Sequence, residues 1–431
     1  MSSEQNNLKH TEEGIQSRVG GHWLVSLADL DDQQKYIASL RPDESYMVEG
    51  CAGSGKSVLA MIKFNQLCSD GRTPVYATRM RGLADTIISE MLQDNDEGMK
   101  IARDYIQANT VRVDVDRKGP SHGKPWFYRS SCVGTYDGLR CITPEPRGCP
   151  LHGDSLVLDE CQDMSYQEFQ KIIHDGGFKS ICWYGDDDQQ LCDNMGGEAQ
   201  HVRMREIFEQ CFKDGEGEKY YSLSSNYRIS RNVAKFVDEF QNVLPDVRKK
   251  LSLYAKGRRT DKPYLCGFET GAQACERVVD VIMNRRWHVA DGHTTAIFVG
   301  LPNNRVENAF GWFKGKFEKS GLPRVDIQRR HGETKKGADD WVTADPSASI
   351  IVSTPLQSKG CQFDAVFVLL NTFGDKPDDL NAIHVAMTRS GGDLFVFYAG
   401  SMPAAFDQIP MSFYRASLDD AEKEAGDLGL K

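Results

Sequence analysis

The sequence predicts an α/β protein with two domains, each built on a mainly parallel sheet. Apolar runs of strand length alternate with segments of helical periodicity in two successive sets along the 431 residues. The first set starts with a strand at residues 45–49 and the second with a strand at residues 295–299. Because parallel strands need helical crossovers between them, this alternation is typical of α/β domains. The length agrees, since ~150 residues per domain gives two or three domains.

The domain boundaries are placed by changes in composition. We expect a first domain at residues 1–215, with a small insertion at about 90–131, and a second domain at residues 216–415. A polar stretch at residues 213–219 is typical of a linker. Residues 416–431 are charged and are expected to form a tail or a surface helix.

The net charge of the chain limits the classes of function that the sequence supports. The chain carries 52 basic and 62 acidic residues, which gives a formal net charge of −10. Proteins that bind nucleic acid by charge alone usually have a basic surface, so the acidic balance argues against that class. Basic residues still cluster at 112–129, 248–262 and 329–336, and each cluster is either a phosphate-binding strip or a solvated loop.

Neither a membrane span nor a secretory leader is visible in the sequence. No run approaches the ~18 consecutive apolar residues that would cross a bilayer, and the N-terminal stretch is polar. We therefore expect no membrane partner, a cytoplasmic location and free cysteine thiols. It stays open whether Cys132, Cys141, Cys149 and His152 bind zinc, and their irregular spacing favours packed thiols.

A phosphate-binding loop is predicted at residues 50–57, in the pattern Gly50-x-x-x-x-Gly55-Lys56-Ser57. Its glycines allow successive backbone N–H groups to curl around phosphate oxygens. The loop follows a strand and opens a helix, whose N-terminus attracts anions. In this pattern Lys56 reaches the β- and γ-phosphates and Ser57 ligates Mg²⁺. The loop therefore predicts a nucleoside triphosphate site.

Two carboxylates complete the minimum for hydrolysis. A metal ligand and a group that activates water are both needed, and Asp159 and Glu160 follow the apolar strand at residues 155–158. We expect Asp159 to hold the metal and Glu160 to act as the base. A carboxylate pair after a strand is common, so this interpretation depends on the phosphate-binding loop upstream.

Further short motifs accompany the loop and the carboxylate pair. They lie at residues 30–34, 76–79, 133–139, 185–189, 226–228, 354–363 and 385–389. As an ordered series, all these motifs together resemble a superfamily 1 helicase of the UvrD/Rep/PcrA type. The resemblance extends over about residues 30–398 and implies two RecA-like domains with ATP and Mg²⁺ in the cleft between them.

The resemblance also implies roles for individual residues. Catalysis would fall to Lys56, Asp159, Glu160, Gln189, Arg228 and Arg389. The ATP contacts would come from Gln34, Gly50, Ala52, Gly53, Ser54, Gly55, Lys56, Ser57, Tyr227 and Gln362. Ser57 and Asp159 would hold the metal, and Thr78, Arg79, Thr135 and Thr354 would contact nucleic acid. In this scheme Gln34 reads adenine, Tyr227 stacks on it, Gln189 senses the γ-phosphate, and Arg228 and Arg389 are arginine fingers.

The sequence departs from its relatives in two ways. Asn194 and Met195 stand where an aromatic residue and an arginine usually follow Gln189, which weakens the expected stacking on bases. Short spacings leave no room for the large inserted domains of the full-size enzymes. We therefore expect a compact form of the motor.

Three functions remain open at this point. The first is an ATP-dependent motor on single-stranded nucleic acid, with DNA favoured over RNA. The second is an ATP-gated regulatory subunit of a larger DNA repair or antiphage defence complex, in which a protein partner supplies nuclease or targeting function. The third is a small-molecule kinase, for which the sequence offers no acceptor site. The direction of movement and the oligomeric state also stay open.

Overall fold

The computed structural model describes residues 27–78, 83–84, 87–88, 91–92, 97–114, 126–130, 132–135, 153–164, 166, 169–170, 172, 177–189, 203–211, 219–244, 250–253, 255–257, 262–284, 294–319, 327–330 and 350–418. Its strands are β1 (Tyr46–Gly50), β2 (Pro74–Thr78), β3 (Thr110–Asp114), β4 (Trp126–Ser130), β5 (Val133–Thr135), β6 (Ser155–Asp159), β7 (Ser180–Gly185), β8 (Tyr220–Leu223), β9 (Asn226–Ser230), β10 (Ala255–Gly257), β11 (Tyr264–Phe268), β12 (Thr295–Phe298), β13 (Ile327–Arg330), β14 (Ile350–Ser353), β15 (Phe363–Leu369) and β16 (Ser390–Ala399). Its α-helices are α1 (Asp32–Ala38), α2 (Lys56–Ser69), α3 (Lys100–Asn109), α4 (Met204–Cys211), α5 (Arg231–Gln241), α6 (Gly271–Asn284), α7 (Asn303–Lys319), α8 (Pro377–Met387) and α9 (Ala404–Asp407).

The described residues form two six-stranded sheets, and every strand pair in both of them is parallel. The first sheet has the order β5-β2-β6-β7-β1-β8 and the second has the order β11-β16-β15-β12-β14-β13. This architecture confirms the predicted α/β fold with mainly parallel sheets. Two smaller sheets accompany them: the antiparallel pair β3–β4, within the predicted insertion, and the parallel pair β9–β10.

Helices cover both faces of each large sheet, as buried parallel strands require. In the first sheet, α2 packs Leu59 and Phe64 into a core with β2 and β6, and α4 packs Phe208 against Trp183 on the other face. The second sheet has the same plan, with α5 and α8 on one face and α6 and α7 on the other. Burial from both sides explains why β6 and β12 are apolar runs without polar alternation.

The register of the first sheet brings the predicted phosphate and metal residues to one edge. Thr78 pairs with Asp159 where β2 and β6 end, and Glu49 pairs with Gly185 where β1 and β7 end. In parallel sheets, ligands bind in the crevice beyond the carboxyl ends of the strands. This edge of the sheet is therefore the place to look for a site.

Two parts of the structure extend beyond the predicted pattern. Strand β8 pairs with β1, so the first sheet continues past residue 215, through a segment next to the predicted linker. Strand β11 and helix α6 precede residue 295 and belong to the second sheet and its core. The chain passes from β8 of the first sheet to β9 through residues 224 and 225. The division into domains at residue 215 stays a proposal.

Two negative findings apply to the described residues. No helix in this part of the chain combines the length and the apolar character needed to cross a bilayer. The described residues also contain no cluster of three or more His, Cys, Asp or Glu side chains arranged for a metal ion. Of the four residues left open for zinc, Cys132 is a buried free thiol, and Cys141, Cys149 and His152 lie outside the described residues.

Candidate active site

The phosphate-binding loop connects β1 to α2 and has the backbone that its glycines predict. Gly53 and Gly55 have left-handed backbones, with φ of 76° and 89°. A Cβ atom added at Gly53 would lie 2.4 Å from Arg228 Cβ, and one added at Gly55 would lie 2.5 Å from Gln34 Nε2. Both positions therefore need glycine for conformation and for space. The loop is held between the segments that carry Gln34 and Arg228.

Lys56, the first residue of α2, is buried beneath this loop. Its Nζ donates hydrogen bonds to the carbonyl oxygens of Gly50, at 2.6 Å, and Cys51, at 3.1 Å. An ammonium group at a helix N-terminus creates a strongly positive environment that suits phosphate. Ser54 and Ala52 are also buried in the loop, and Ser54 Oγ has no hydrogen-bond partner among the described residues.

Asp159 lies fully buried at the end of β6 beside the loop. Tyr76 donates its hydroxyl to Asp159 Oδ2 at 2.7 Å, and the backbone N–H of Glu160 donates to Oδ1 at 2.9 Å. Burial, followed by the neighbouring charge of Glu160, raises the pKa of Asp159 to about 6, against hydrogen bonds from Ser57 and Tyr76. A carboxylate and a hydroxyl in contact are hard oxygen ligands, so Ser57 and Asp159 fit a divalent cation such as Mg²⁺.

Glu160 is the one described non-glycine residue with a positive φ, at 56°. Such a backbone is unusual for glutamate, and positions of this kind cluster at functional sites. Gln162 Nε2 donates to Glu160 Oε2 at 2.6 Å. Burial alone would raise the pKa of Glu160, but the positive charges of Lys56, Arg389 and Lys359 lower it. Glu160 is therefore ionised at neutral pH and able to accept a proton.

A series of hydrogen bonds connects Glu160 to Arg389, which lies next to the second six-stranded sheet. Gln162 accepts from the backbone N–H of Asp186 at 3.2 Å, Gln189 donates to Asp186 Oδ2, and Arg389 donates to Gln189 Oε1. All these side chains are buried. This series of hydrogen bonds links the end of β6 to the segment between α8 and β16.

The two predicted arginine fingers both reach this region. Arg389 is 1% exposed, and its Nε donates to the Val385 carbonyl oxygen at 3.2 Å. Arg228 Nε donates to Gln362 Oε1 at 3.2 Å. Burial, and for Arg228 also repulsion by Arg389, lowers the pKa of both guanidinium groups. Arginine nevertheless stays protonated at neutral pH, so the site holds two neighbouring positive charges.

Gln34 and Tyr227, the predicted base contacts, are joined through Asp31. Asp31 Oδ1 accepts from the backbone N–H of Gln34 at 2.7 Å, and Asp31 Oδ2 accepts from the Tyr227 hydroxyl. Gln34 is buried, and its Nε2 donates to the Ser54 carbonyl oxygen at 2.9 Å. Tyr227 is exposed, and its backbone N–H donates to the Gly53 carbonyl oxygen at 2.9 Å.

The predicted nucleic-acid contacts are less accessible. Thr78 and Thr354 are both buried, and Thr78 Oγ1 has no hydrogen-bond partner among the described residues. Thr135 ends β5, where its backbone pairs with Thr78. Arg79 lies outside the described residues. The structure therefore brings the described nucleotide residues together, and the side chains of Thr78 and Thr354 are not accessible to a polymer at the surface.

Sequence reasoning gave no role to some residues of the site. Lys359 lies inside the motif at residues 354–363 and Gln162 lies two residues after Glu160, and the sequence assigns a function to neither. Asn226 is buried and accepts the backbone N–H groups of Arg228, at 3.0 Å, and Ile229, at 3.1 Å. Tyr76 lies in the motif at residues 76–79, but the sequence does not predict its contact with Asp159. Each of them is a polar residue in or next to a motif, at a position that the fold buries. That combination is the signal by which the sequence could have identified these residues.

Comparison with known protein families finds a match over part of the chain. Residues 43–257 match the family described as Schlafen group 3, DNA/RNA helicase domain. This region is therefore similar to a helicase domain. It covers just under half of the chain, from before β1 to the end of β10, and includes Lys56, Asp159 and Gln189. Arg389 lies beyond it.

Solved structures that are similar to the chain include the following two. The C-terminal domain of a possible DNA helicase from Lactobacillus plantarum WCFS1 has 19% identity and a TM-score of 0.30, over 44% of this chain and 99% of that one. The PRRSV helicase has 13% identity and a TM-score of 0.36, over 87% of this chain and 57% of that one. No curated protein matches the sequence.

Proposed function

We propose that the chain is a UvrD-like ATPase that couples ATP hydrolysis, with Mg²⁺, to movement on single-stranded nucleic acid, DNA in preference to RNA. The similarity of residues 43–257 to a helicase domain supports the general class of nucleic-acid motor. The observation that carries the proposal is the buried contact between Arg389 and Gln189, because it joins the second sheet to the nucleotide end of the first.

Each side chain of the site has a chemical role in hydrolysis. Lys56 and the N-terminus of α2 would neutralise the phosphates, and Ser57 and Asp159 would hold Mg²⁺. The metal, when bound, would supply positive charge that offsets the negative charge of the phosphates. Glu160, ionised and next to this position, would orient the attacking water and accept its proton.

The two arginines would make the rate of hydrolysis depend on both halves of the chain. A guanidinium aimed at the transferring phosphoryl group stabilises charge that develops in the transition state. Arg389 comes from the segment before β16, and Arg228 comes from β9, so catalysis requires the two halves to be closed on the nucleotide. Hydrolysis would release that closure, which is how a pair of domains moves along a strand.

One observation favours the second candidate, an ATP-gated subunit with little unwinding of its own. The two described threonine side chains expected to contact nucleic acid, Thr78 and Thr354, are 0% and 1% exposed. Side chains so buried cannot reach phosphates of a polymer on the surface. In this version, closure on ATP would switch a protein partner that supplies nuclease or targeting function.

Steady-state ATP hydrolysis separates the two candidates. The rate would be measured without polymer and with single-stranded DNA, single-stranded RNA and duplex DNA, using Glu160→Gln as the blank. Stimulation of about tenfold or more by one single strand supports the motor and identifies its track. A rate that none of the polymers changes supports the gated subunit. No hydrolysis above the Glu160→Gln blank in any condition rejects both.

A further inference from the structure

The base end of the nucleotide site is built from α1, the phosphate-binding loop and the start of β9. Asp31 caps α1 and forms a reciprocal pair with Gln34: its side chain accepts the Gln34 backbone N–H, and its own backbone N–H donates to Gln34 Oε1 at 3.1 Å. This is a capping box, an arrangement that fixes the first turn of a helix. Gln34 therefore has a structural partner for its oxygen.

The nitrogen of the same side chain is also committed. Gln34 Nε2 donates to the Ser54 carbonyl oxygen at 2.9 Å and lies 2.5 Å from the position that a Cβ atom of Gly55 would take. The Gln34 side chain is 5% exposed. To read adenine, a glutamine amide must offer one donor and one acceptor to the base edge. Here the oxygen and the nitrogen of the amide each bind protein, and the burial of Gln34 leaves the second N–H and the second lone pair little access to a base. The bond to Ser54 holds the loop in place.

The neighbouring polar groups are engaged in the same way. Gln33 Oε1 accepts from the backbone N–H and the hydroxyl of Ser224, at 3.2 Å and 2.9 Å. The second carboxylate oxygen of Asp31 accepts the Tyr227 hydroxyl. Among the described residues, this leaves the Tyr227 ring, 41% exposed, as the main surface that this end offers to a base.

An aromatic ring does not discriminate between bases. Stacking is tolerant of sequence, because every base has a π-face. Lys256 Nζ lies 5.4 Å from the centre of the Tyr227 ring, and an ammonium is a donor without directional preference for one base edge. All four bases carry acceptors that such a donor can meet.

We propose that this site does not select adenine: it hydrolyses ATP, GTP, CTP and UTP with similar efficiency, and Gln34 is a positioning residue for the phosphate-binding loop. This inference rests on the proposed hydrolysis of nucleoside triphosphates and specifies its substrate class. Recognition then comes from the phosphates, through Lys56 and the loop, and from stacking on Tyr227.

The first test compares kcat/KM for the four triphosphates with Mg²⁺, using the full chain. The expected result is that the four values agree within about fivefold. A glutamine pair that reads one base gives discrimination of about 10- to 100-fold. A preference for ATP of 30-fold or more over GTP, CTP and UTP would overturn the inference. That outcome leaves the proposed hydrolysis intact, whereas no turnover of any triphosphate rejects the hydrolysis itself.

Variants test the role of Gln34 independently. Gln34→Ala should lower kcat for all four triphosphates by the same factor, because the loop loses its support. Tyr227→Ala should raise KM for all four by about 10-fold, as expected for the loss of one stacking contact. If Gln34→Ala instead weakens ATP alone and leaves the other three unchanged, Gln34 reads the base. Thermal denaturation of each variant identifies any that fail to fold, and the wild-type comparison stands without them.

Discussion

At the scale of single residues, the site contains charged side chains that are buried, and burial of a charge costs folding free energy. Asp159 is a fully buried carboxylate next to Glu160, and its pKa is raised to about 6 by burial and by that neighbour. An ionised Asp159 therefore lowers the stability of the fold. A divalent cation at Ser57 and Asp159 would offset it.

Asp159→Asn should abolish hydrolysis and leave the protein more stable at pH 8. Because the pKa is raised in the folded state, the stability contributed by protonated Asp159 is present below pH ~4 and is lost as the pH rises through about 6. Asparagine carries no such penalty, so the gain is about 1–3 kcal/mol at pH 8 and smaller at pH 5. Thermal unfolding at the two pH values measures it.

Asp238→Asn is the matched control, since Asp238 is also buried but lies outside the site. Its two oxygens accept the backbone N–H groups of Leu251, at 2.6 Å, and Ser252, at 3.0 Å. An amide there turns an NH₂ group towards an N–H donor, so this change should destabilise the protein without stopping turnover. Equal stability losses in both variants would contradict the role given to Asp159.

Arg389→Ala should lower kcat for ATP by about 10³-fold or more while changing ATP affinity by less than about tenfold, as expected for an arginine finger. Arg389→Lys keeps the charge but not the fork of donors, and should restore little of the rate. Arg415→Ala removes an arginine that stacks on Tyr264, away from the site, and should leave kcat within about threefold. A loss of affinity alone in Arg389→Ala would remove Arg389 from this role.

At the scale of elements, the glycines of the loop do two separate things. Gly53 has a left-handed backbone and also touches β9, where a Cβ atom would meet Arg228 and Asn226. Gly71, just past the end of α2, has φ of 72° and nothing within 4 Å of an added Cβ. The two positions therefore share backbone strain but differ in contact.

Gly71→Ala should cost about 1 kcal/mol of stability, from strain alone, and keep ATP turnover. Gly53→Ala should cost more and reduce turnover at least 10-fold, because β9 and Arg228 must shift to admit the new atom. Urea unfolding and kcat, measured on both variants, separate strain from contact. Similar behaviour of the two variants would mean that the contact between the loop and β9 contributes little.

Sequence reasoning succeeds where local chemistry requires particular residues. The loop at residues 50–57 and the strand before Asp159 were predictable, because a tight anion-binding turn needs glycine and a buried strand needs an apolar run. Strand β8 escaped prediction because its four residues, Tyr-Tyr-Ser-Leu, lie at the edge of the sheet and three of them are only half-buried or exposed. The hydrogen bond between Gln162 and Asp186 was not predictable, because Asp186 follows β7, which is distant from Gln162 in the sequence.

At the scale of the whole molecule, nucleotide binding should stabilise the fold through residues of both halves. A ligand that binds only the folded state adds about 2.7 kcal/mol at 100 times its Kd. We therefore expect a non-hydrolysable ATP analogue with Mg²⁺ to raise Tm by several degrees. Lys56→Ala should abolish this shift, since the ammonium of Lys56 is the predicted phosphate contact.

Lys63→Met provides the control for that experiment. Lys63 lies on the same helix and is also buried, but its Nζ donates to the Leu40 carbonyl oxygen at 2.6 Å, away from the loop. Its loss should lower Tm without nucleotide and keep the shift on binding. A nucleotide-dependent shift that survives Lys56→Ala would show that the analogue binds elsewhere.

The short passage from β8 to β9 has a mechanical consequence. Two residues, Ser224 and Ser225, separate a strand of the first sheet from the strand that carries Tyr227 and Arg228, and Ser224 is bonded to Gln33. So short a tether spans only about 7 Å when fully extended. This length limits how far the two strands can separate, so we expect any relative movement at this point to be a rotation about residues 224 and 225. Small changes at the base of the nucleotide would then become the largest displacements at the far end of the second sheet.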